Sequence, residues 1–346
     1  MAGTPSVRPG ERSMLKIHFS REDILRTRVA SAADPVWELV LSLHLLQGRG
    51  PEPLMLEWRR AVARTLRTDT ATERFRLLLA LNPPRGYFPD FLTPYASREG
   101  LEAGLEAVRG TPVGMLRRDL AVLAEENHLP APAAALARGE PEVVRHLTDS
   151  MAHYQTFAIT PYWPRIQAAV EADRARRARA MLADGPEGLL ASLRPAMRWA
   201  DGVLEVLDYP DTRELRLDGR GLLLVPAFFC ARTPVALLDP ALPPVLVYPV
   251  DRLGGLAPGP GSAAAADPDG GREALAALLG RTRAAVLAAA EDGCTTGEMA
   301  RRLHISPAAA SQHASVLRNA GLLVSHRDRN TVLHILTPLG RAVLDA

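Results

Sequence analysis

The chain has 346 residues, of which 47% are hydrophobic, and this is enough for two or three domains with ordinary cores. Its 41 lysines and arginines nearly balance its 39 aspartates and glutamates, so the formal net charge is +2 at pH 7. This near-neutral balance argues against a protein that coats nucleic acid without regard to sequence.

The apolar runs of the chain predict a soluble protein. The longest, such as residues 221–230, are far shorter than the roughly 20 residues of a membrane-spanning helix. No segment with a charged start and an apolar core opens the chain. Cys230 and Cys294 form no spacing motif, which is typical of a reducing compartment. We therefore expect a cytoplasmic protein without a membrane partner.

The first 250 residues predict a disordered tail and a mainly helical domain. Residues 1–13 are rich in Pro, Gly, Ser and Arg, and we expect them to be disordered. Residues 14–250 form the predicted domain, with a strand at residues 15–19. Helices are predicted after Asp34-Pro35 and at residues 53–67, 70–80, 98–108, 111–126, 142–146 and 164–182. Strands are predicted at residues 203–207, 213–217, 222–225 and 245–248, which gives a β-rich part at about 200–250.

A change of composition then separates the last part of the chain. Residues 256–271 consist mainly of Gly, Pro and Ala without periodicity, which predicts a flexible linker over residues 251–271. From Arg272 onward there are nine arginines and six acidic residues. A basic C-terminal segment on a neutral body is typical of a sequence-reading module attached to another domain.

Residues 272–346 predict a helix-turn-helix. An alanine-rich helix at residues 281–290 precedes a short helix for which Thr295 and Thr296 offer a hydroxyl cap. A tight turn at residues 304–305 leads to Ser306-Pro307, a preferred cap followed by a preferred first helical residue. This last helix is predicted to end at Gly321, where a left-handed terminator is expected.

The two faces of the helix after Ser306 differ in chemistry. Ala310, Ala314 and Leu317 lie three or four residues apart and are predicted to pack inward. The other face carries small or amide-bearing side chains, which lets the backbone approach a DNA groove closely. The residues predicted to contact DNA from this helix are Ser306, Ala308, Ser311, Gln312, His313, Ser315 and Arg318.

A predicted β-hairpin follows this helix. Residues 322–326 and 331–336 are rich in β-forming residues, and a polar turn lies between them. Arg327 and Arg329 stand at its tip, where cations suit phosphate or minor-groove contacts. A short closing helix is predicted after Thr337-Pro338. The fold class is therefore mainly α with a small β subdomain, in which an N-terminal α+β domain is linked to a C-terminal winged helix-turn-helix.

This C-terminal segment resembles the ArsR/SmtB-type winged-helix regulators. The resemblance rests on Leu-His-Ile-Ser at 303–306, Ala-Ala-Ser-Gln-His at 309–313 and Val-Leu-Arg-Asn-Ala-Gly-Leu at 316–322. In that family the serine, the next residue and the histidine belong to the recognition helix, which implies Ser311, Gln312 and His313. The order of elements along the whole chain is similar to that of long regulators whose N-terminal domain has no assigned activity. This similarity rests on residues 16–19, 222–229 and 243–249.

One departure from the family pattern concerns metals. Its metal-sensing branch carries a Cys-x-Cys pair at the start of the first helix of the motif, and Thr295 and Gly297 stand at those positions here. Cys294 is adjacent but alone, and the closing helix holds no set of His or Glu ligands. We therefore expect neither a metal nor a cofactor.

Three patterns in the N-terminal region have competing interpretations. Arg174, Arg176, Arg177 and Arg179 fit a solvated helix face better than a phosphate-binding stripe. The aromatic residues at 154, 157, 162 and 163 fit core packing better than an effector pocket. His146, Ser150 and His153 share a helical face but lack a placed acid, which makes them a weak indication of hydrolytic chemistry.

These patterns predict a DNA-binding transcription regulator that is not an enzyme. We expect it to bind operator DNA as a homodimer, to act as a repressor, and to respond through its N-terminal domain to an unknown small-molecule effector. Phosphate contacts are predicted for the Thr295/Thr296 helix end, Arg318 and the wing arginines, with base contacts for Ser311 and Gln312. The alternatives are an enzyme or a protein-interaction module with an appended winged-helix domain.

Overall fold

The computed structural model describes residues 13–48, 52–67, 69–84, 86–231, 233–237, 239, 241–252, 275–291, 293–328 and 331–344. The chain divides into two compact units, Met1–Ala257 (unit 1) and Pro258–Ala346 (unit 2). The predicted tail lies outside the described residues apart from Ser13, and so does the predicted linker apart from Asp251 and Arg252.

Unit 1 is a mixed α/β structure in which helices predominate. Its helices are α1 (Arg21–Arg26), α2 (Pro35–Gln47), α3 (Leu56–Leu66), α4 (Asp69–Ala80), α5 (Leu101–Arg109), α6 (Val113–Glu126), α7 (Pro132–Ala137), α8 (Pro141–Ala158) and α9 (Trp163–Ala191). Short 3₁₀ turns occupy Pro53–Met55, Asp90–Leu92, Tyr95–Glu99 and Thr160–Tyr162. None of the helices in the described part of the chain is long and apolar enough to cross a bilayer.

Two four-stranded sheets complete unit 1. The strands are β1 (Met14–His18), β2 (Arg28–Val29), β3 (Met197–Ala200), β4 (Val203–Leu207), β5 (Arg213–Arg216), β6 (Leu223–Ala227), β7 (Val235–Ala236) and β8 (Val245–Pro249). One sheet has the order β3-β4-β1-β5, in which only β1 and β5 are parallel. The other has the order β2-β6-β8-β7, in which only β7 and β8 are antiparallel. Strands from both ends of unit 1 therefore pair in each sheet.

Helix α2 forms the centre of the larger hydrophobic core of unit 1. It begins where the carboxylate of Asp34 accepts hydrogen bonds from the backbone N–H groups of Val36 and Trp37, over 3.0 and 3.1 Å. Ten of its thirteen residues are buried, so the helix is enclosed rather than amphipathic. One of the buried residues is Glu38, whose carboxylate accepts hydrogen bonds from the N–H groups of Phe228 and Phe229, over 2.7 and 2.9 Å.

The structure differs from the predicted helices in extent more than in position. Helix α8 extends to Ala158, well beyond the predicted residues 142–146, because its buried face continues through Met151 and Tyr154. Helix α9 continues past the predicted end at residue 182 and is broken at Gly185, whose φ of 69° is one that glycine adopts without strain. Two short helices, α1 and α7, were not predicted, because neither has a long periodic pattern. A capping box at Ser20 stabilises α1, whereas α7 has no side-chain cap and buries Ala133 and Leu136.

The interpretation of the α9 arginines as a solvated face is wrong at one position. Arg177 is only 5% exposed, and its guanidinium donates to the buried carboxylate of Asp173 over 2.8 Å. The hydroxyl of Tyr248 in β8 donates to the same carboxylate over 2.6 Å. Arg177 therefore belongs to a buried network that joins α9 to the second sheet, whereas Arg179 is exposed as predicted.

Unit 2 begins, within the described residues, with a short helical segment at 275–279. The elements that follow are α10 (Arg281–Ala289), β9 (Cys294–Thr295), α11 (Thr296–Arg302), α12 (Pro307–Asn319), β10 (Leu323–Asp328), β11 (Thr331–Leu336) and α13 (Pro338–Leu344). The three strands form an antiparallel sheet in the order β10-β11-β9. One hydrophobic cluster, with Val286, Met299, Ala310 and Leu317 among its members, lies between the helices and this sheet.

Candidate nucleic-acid interface

A tight turn joins helices α11 and α12. His304 adopts a φ of 52° in this turn, and the N–H of Ile305 donates to the carbonyl of Ala300 over 3.1 Å. Ser306 then caps α12, because its hydroxyl accepts a hydrogen bond from the N–H of Ala309 over 3.1 Å. The left-handed residue and the cap thus set the direction in which α12 leaves α11.

Helix α12 has one buried and one exposed face. Ala310, Ala314 and Leu317 are each at most 1% exposed, as predicted from their spacing. On the other side, the predicted DNA-contacting residues Ser306, Ala308, Ser311, Gln312 and Arg318 are exposed, and His313 and Ser315 are half-buried. The Arg318 guanidinium donates to the Ser315 hydroxyl over 3.0 Å. The exposed surface around Gln312 is therefore polar, with small side chains on either side of its amide. Val316, 44% exposed, and the amide of Asn319 lie further along the helix.

The hydroxyls at the start of α11 are engaged within unit 2. The Thr295 hydroxyl accepts a hydrogen bond from the N–H of Glu298 over 3.3 Å, and the Glu298 carboxylate accepts one from the N–H of Thr295 over 2.9 Å. These bonds to Thr295 lower the pKa of Glu298. The Thr296 hydroxyl is bonded to His334, 2.9 Å away. This helix end therefore presents a carboxylate, which disfavours the phosphate contact predicted there.

His334 lies between the hairpin and α11. It is 4% exposed, and its ring nitrogens lie 2.9 Å from the hydroxyls of Thr296 and Ser325. Burial and, after it, the charge of Arg318 lower the pKa of His334. The ring is therefore a neutral structural group at pH 7.

The predicted wing corresponds to the hairpin of β10 and β11, whose registered pairs run from Leu323 with Leu336 to Asp328 with Thr331. Arg327 pairs with Val332 in this ladder. Arg329, at the predicted tip, lies outside the described residues, and the side chain of Arg327 is not described.

Two exposed arginines outside the predicted DNA-contacting set lie on α11. Arg301 and Arg302 occupy its last turn, and the guanidinium of Arg301 lies back along the helix beside Gly297. The sequence does show two adjacent arginines just before the turn at residues 304–305, which could have indicated a phosphate contact. This indication was missed because arginine is common throughout the chain, with Lys16 as its lone lysine.

Positions 295 and 297, at which the metal-sensing branch of the resembled regulators carries cysteines, do not form a metal site in the described part of the chain. Thr295 and Gly297 supply no thiolate, and Cys294 is 1% exposed, with a pKa raised by burial. Within the described residues there is no group of three or more His, Cys, Asp or Glu side chains placed to hold an ion.

In unit 1 the weak hydrolytic indication has a structural explanation. A ring nitrogen of His146 and the hydroxyl of Ser150 both contact the carbonyl oxygen of Arg74, over 3.1 and 3.0 Å. His153 stacks on the ring of Phe75. The three side chains are therefore joined to the neighbouring helix α4 and not to each other in a relay.

The aromatic residues predicted as core packing belong to the larger core of unit 1. Tyr154 and Tyr162 are buried, and Phe157 and Trp163 pack against the same cluster while partly exposed. The Tyr154 hydroxyl lies 2.9 Å from that of Ser42. These side chains line the core rather than a ligand pocket.

Comparison with known proteins gives no match, whether with family models, with curated proteins or with solved structures.

Proposed function

We propose that the protein is a DNA-binding transcription regulator whose residues 281–344 act as a winged helix. Helix α12 is the recognition helix in this proposal, and the hairpin of β10 and β11 is the wing. The observation that carries the proposal is the exposed face of α12, with Ser311 and Gln312 at its middle and a capped N-terminus at Ser306. A helix with such a face fits the major groove, where an amide side chain can pair with an adenine edge.

The charges around α12 support a division between base and phosphate contacts. Ser311 and Gln312 read bases in this proposal, while Arg301, Arg302 and Arg318 contact phosphates. All three of these arginines are exposed. Arg327 and Arg329 of the wing add phosphate or minor-groove contacts. The Thr295/Thr296 helix end is assigned no phosphate, because Glu298 would repel it.

The remaining parts of the proposal follow from the resemblance to ArsR/SmtB-type regulators. We propose a cytoplasmic homodimer that binds a palindromic operator and represses by occluding a promoter, with unit 1 used for effector sensing or oligomerisation and not for catalysis. Two recognition helices related by a two-fold axis would read two half-sites one helical turn apart.

The test is selection of bound fragments from a random double-stranded DNA library with the full-length protein at moderate salt. We expect one enriched motif with two related half-sites, and loss of the enrichment in the double variant Ser311→Ala/Gln312→Ala. The control is Thr282→Ala, which changes an exposed hydroxyl on α10. Retention of random fragments only would contradict the proposal.

A second candidate function, a protein-interaction module, is favoured by the outer face of the hairpin. Val324, Leu333 and Ile335 are 42%, 36% and 36% exposed, and Val324 pairs with Ile335 across the two strands. Contiguous exposed apolar side chains are typical of a protein contact. In this alternative Ile335→Ser abolishes association with a partner chain or a second copy, while the α12 variants leave it unchanged.

A further inference from the structure

Unit 1 contains a cavity of about 670 Å³. It lies between α2 and α6, is open to solvent on one side, and is bordered by the segments at 84–90, 209–213 and 229–236. This volume falls within the roughly 300–1,000 Å³ of small-molecule sites. None of its lining residues belongs to the aromatic set at 154–163 or to α12.

Apolar and aromatic side chains form much of the cavity wall. They come from both helices and from the bordering segments, and they include Leu41, Leu45, Phe88, Val122 and Phe229. Tyr87 and Tyr209 add two further rings. Such a wall accommodates the apolar body of a ligand, and aromatic faces attract a cation held over them.

Among the lining residues that the structure describes, carboxylates outnumber basic side chains. The described lining residues include five carboxylates (Glu52, Asp90, Glu125, Glu126 and Asp211) and one guanidinium, that of Arg213. Glu52 pairs with Arg252 over 3.4 Å, and Asp90 accepts a hydrogen bond from the N–H of Asp239 over 2.8 Å. The other three carboxylates are exposed and form no ion pair with any described residue. Their negative charge therefore remains available to a ligand.

The imidazole of His44 gives an independent indication of a missing partner. Its ring belongs to the cavity wall and packs edge-on against Phe88, with 4.9 Å between ring centroids. Its Nε2 is buried and has no hydrogen-bond partner among the described residues. Burial lowers the pKa of His44 to about 4, so the ring is neutral at pH 7 and adds no positive charge to the cavity. A buried polar atom without a partner is uncommon in a finished protein interior.

We infer that this cavity binds a small organic cation, an ammonium group carried on an aromatic or aliphatic body. The free carboxylates Glu125, Glu126 and Asp211 attract the ammonium group, and the apolar wall takes the body of the ligand. The inference does not depend on DNA binding, because every lining residue belongs to unit 1. If the protein is a regulator, the occupant of this cavity is its effector.

The test compares three probes of one shape and three charges. Tryptamine is the cation, tryptophol its neutral analogue and indole-3-acetate its anionic analogue, each titrated into the full-length protein by calorimetry. We expect one tryptamine per chain, weaker binding of tryptophol, and no binding of indole-3-acetate. Added salt should weaken the binding of tryptamine more than that of tryptophol, because only the cation gains from the carboxylates.

Two kinds of variant locate the binding in this cavity. Val122→Trp and, separately, Val235→Phe fill it from α6 and from β7, and each should abolish tryptamine binding. Glu125→Gln/Glu126→Gln should weaken tryptamine binding by about tenfold, the effect of two charges several ångströms away in a partly solvated site. The control Glu57→Gln/Asp149→Asn removes two exposed acids outside the cavity and should leave the affinity unchanged.

Three results would each overturn the inference. They are an absence of binding by all three probes at millimolar concentration, equal or tighter binding of indole-3-acetate, and unchanged binding in both cavity-filling variants. Thermal unfolding of each variant without ligand separates a filled cavity from a misfolded chain. The assay contains no DNA. A failure to bind tryptamine therefore does not bear on the proposal of DNA binding, which is tested separately by fragment selection.

Discussion

The imidazole of His334 and the hydroxyl of Thr296 are hydrogen-bonded over 2.9 Å, which joins strand β11 to the first residue of α11. The second ring nitrogen of His334 lies 2.9 Å from the Ser325 hydroxyl in β10. One buried ring thus connects both strands of the hairpin to the helix that precedes α12. The connection is a neutral one at pH 7, because burial and Arg318 lower the pKa of His334.

This relationship predicts that the hairpin is destabilised by acid. A histidine with a lowered pKa in the folded state binds a proton more readily when unfolded, so stability falls as the pH drops below its ordinary pKa of 6.5. Hydrogen exchange of the full chain at about pH 7.5 and 5.5 should therefore show reduced protection of β10 and β11 at the lower pH, after correction for intrinsic rates. His334→Asn should remove most of this dependence. His304→Asn is the control, because asparagine tolerates the left-handed backbone there.

The buried carboxylate of Glu38 predicts a pH dependence of the opposite sign in unit 1. Burial raises its pKa to about 7, above its ordinary value of 4.5, so the folded chain holds a proton that the unfolded chain releases between these values. The stability of unit 1 should therefore fall as the pH rises through this window. All four tryptophans lie in unit 1, and their fluorescence during urea unfolding reports on it. Glu38→Gln should flatten the dependence and the exposed Glu57→Gln should not. Equal slopes for wild type and Glu38→Gln would contradict this prediction.

The pair formed by Asp173 and Arg177 predicts a large effect of one arginine in α9. Arg177→Met leaves the Asp173 carboxylate buried with only the Tyr248 hydroxyl and Arg176 as partners. We expect a loss of about 1–3 kcal/mol in the free energy of unfolding, less than for a buried charge left without any ionic partner, because Arg176 still pairs with Asp173. The exposed Arg179→Met should change it by less than about 0.5 kcal/mol. Tryptophan fluorescence in urea measures both, and equal effects would contradict a buried role for Arg177.

If α12 is a recognition helix, Gln312→Ala should relax specificity at one base position. Loss of a bidentate contact to a base costs roughly 1–3 kcal/mol at the matching site and little elsewhere. Competition binding with single-base variants of the selected motif measures the change. Thr282→Ala should leave every ratio as in the wild type. A uniform loss of affinity across all sequences would assign Gln312 to the phosphates instead.

In the same proposal, Arg301 and Arg302 contribute affinity without specificity. Each replacement by alanine should weaken binding to all sequences and reduce the slope of log affinity against log salt by about 1. Arg329→Ala in the wing should behave likewise. The matched control is Arg145→Ala, an exposed arginine of α8 that pairs with Glu142. If none of the arginine replacements on α11 and the wing changed this slope, these arginines would not be part of the DNA interface.

The sequence by itself determined the local elements whose chemistry is self-contained. The Asp34 and Ser306 caps, the apolar spacing of Ala310, Ala314 and Leu317, and the strand at Val203–Leu207 each depend on neighbours within a few residues. A short periodic pattern is therefore enough to predict them. The candidate face of α12 followed from the same spacing, since residues on one side of a helix recur every three or four positions.

Only the tertiary structure decided which polar groups are buried together. Glu38 meets the backbone of Phe228 and Phe229, 190 residues away, and His334 meets Thr296 across the sheet. The side chains around the cavity come from five separated segments. No local pattern encodes such pairings, because they depend on how strands from the two ends of unit 1 register and how helices pack upon them. For that reason Arg177 was taken for a surface residue. The cap at Thr295 was predicted, but the bond between Thr296 and His334 was not.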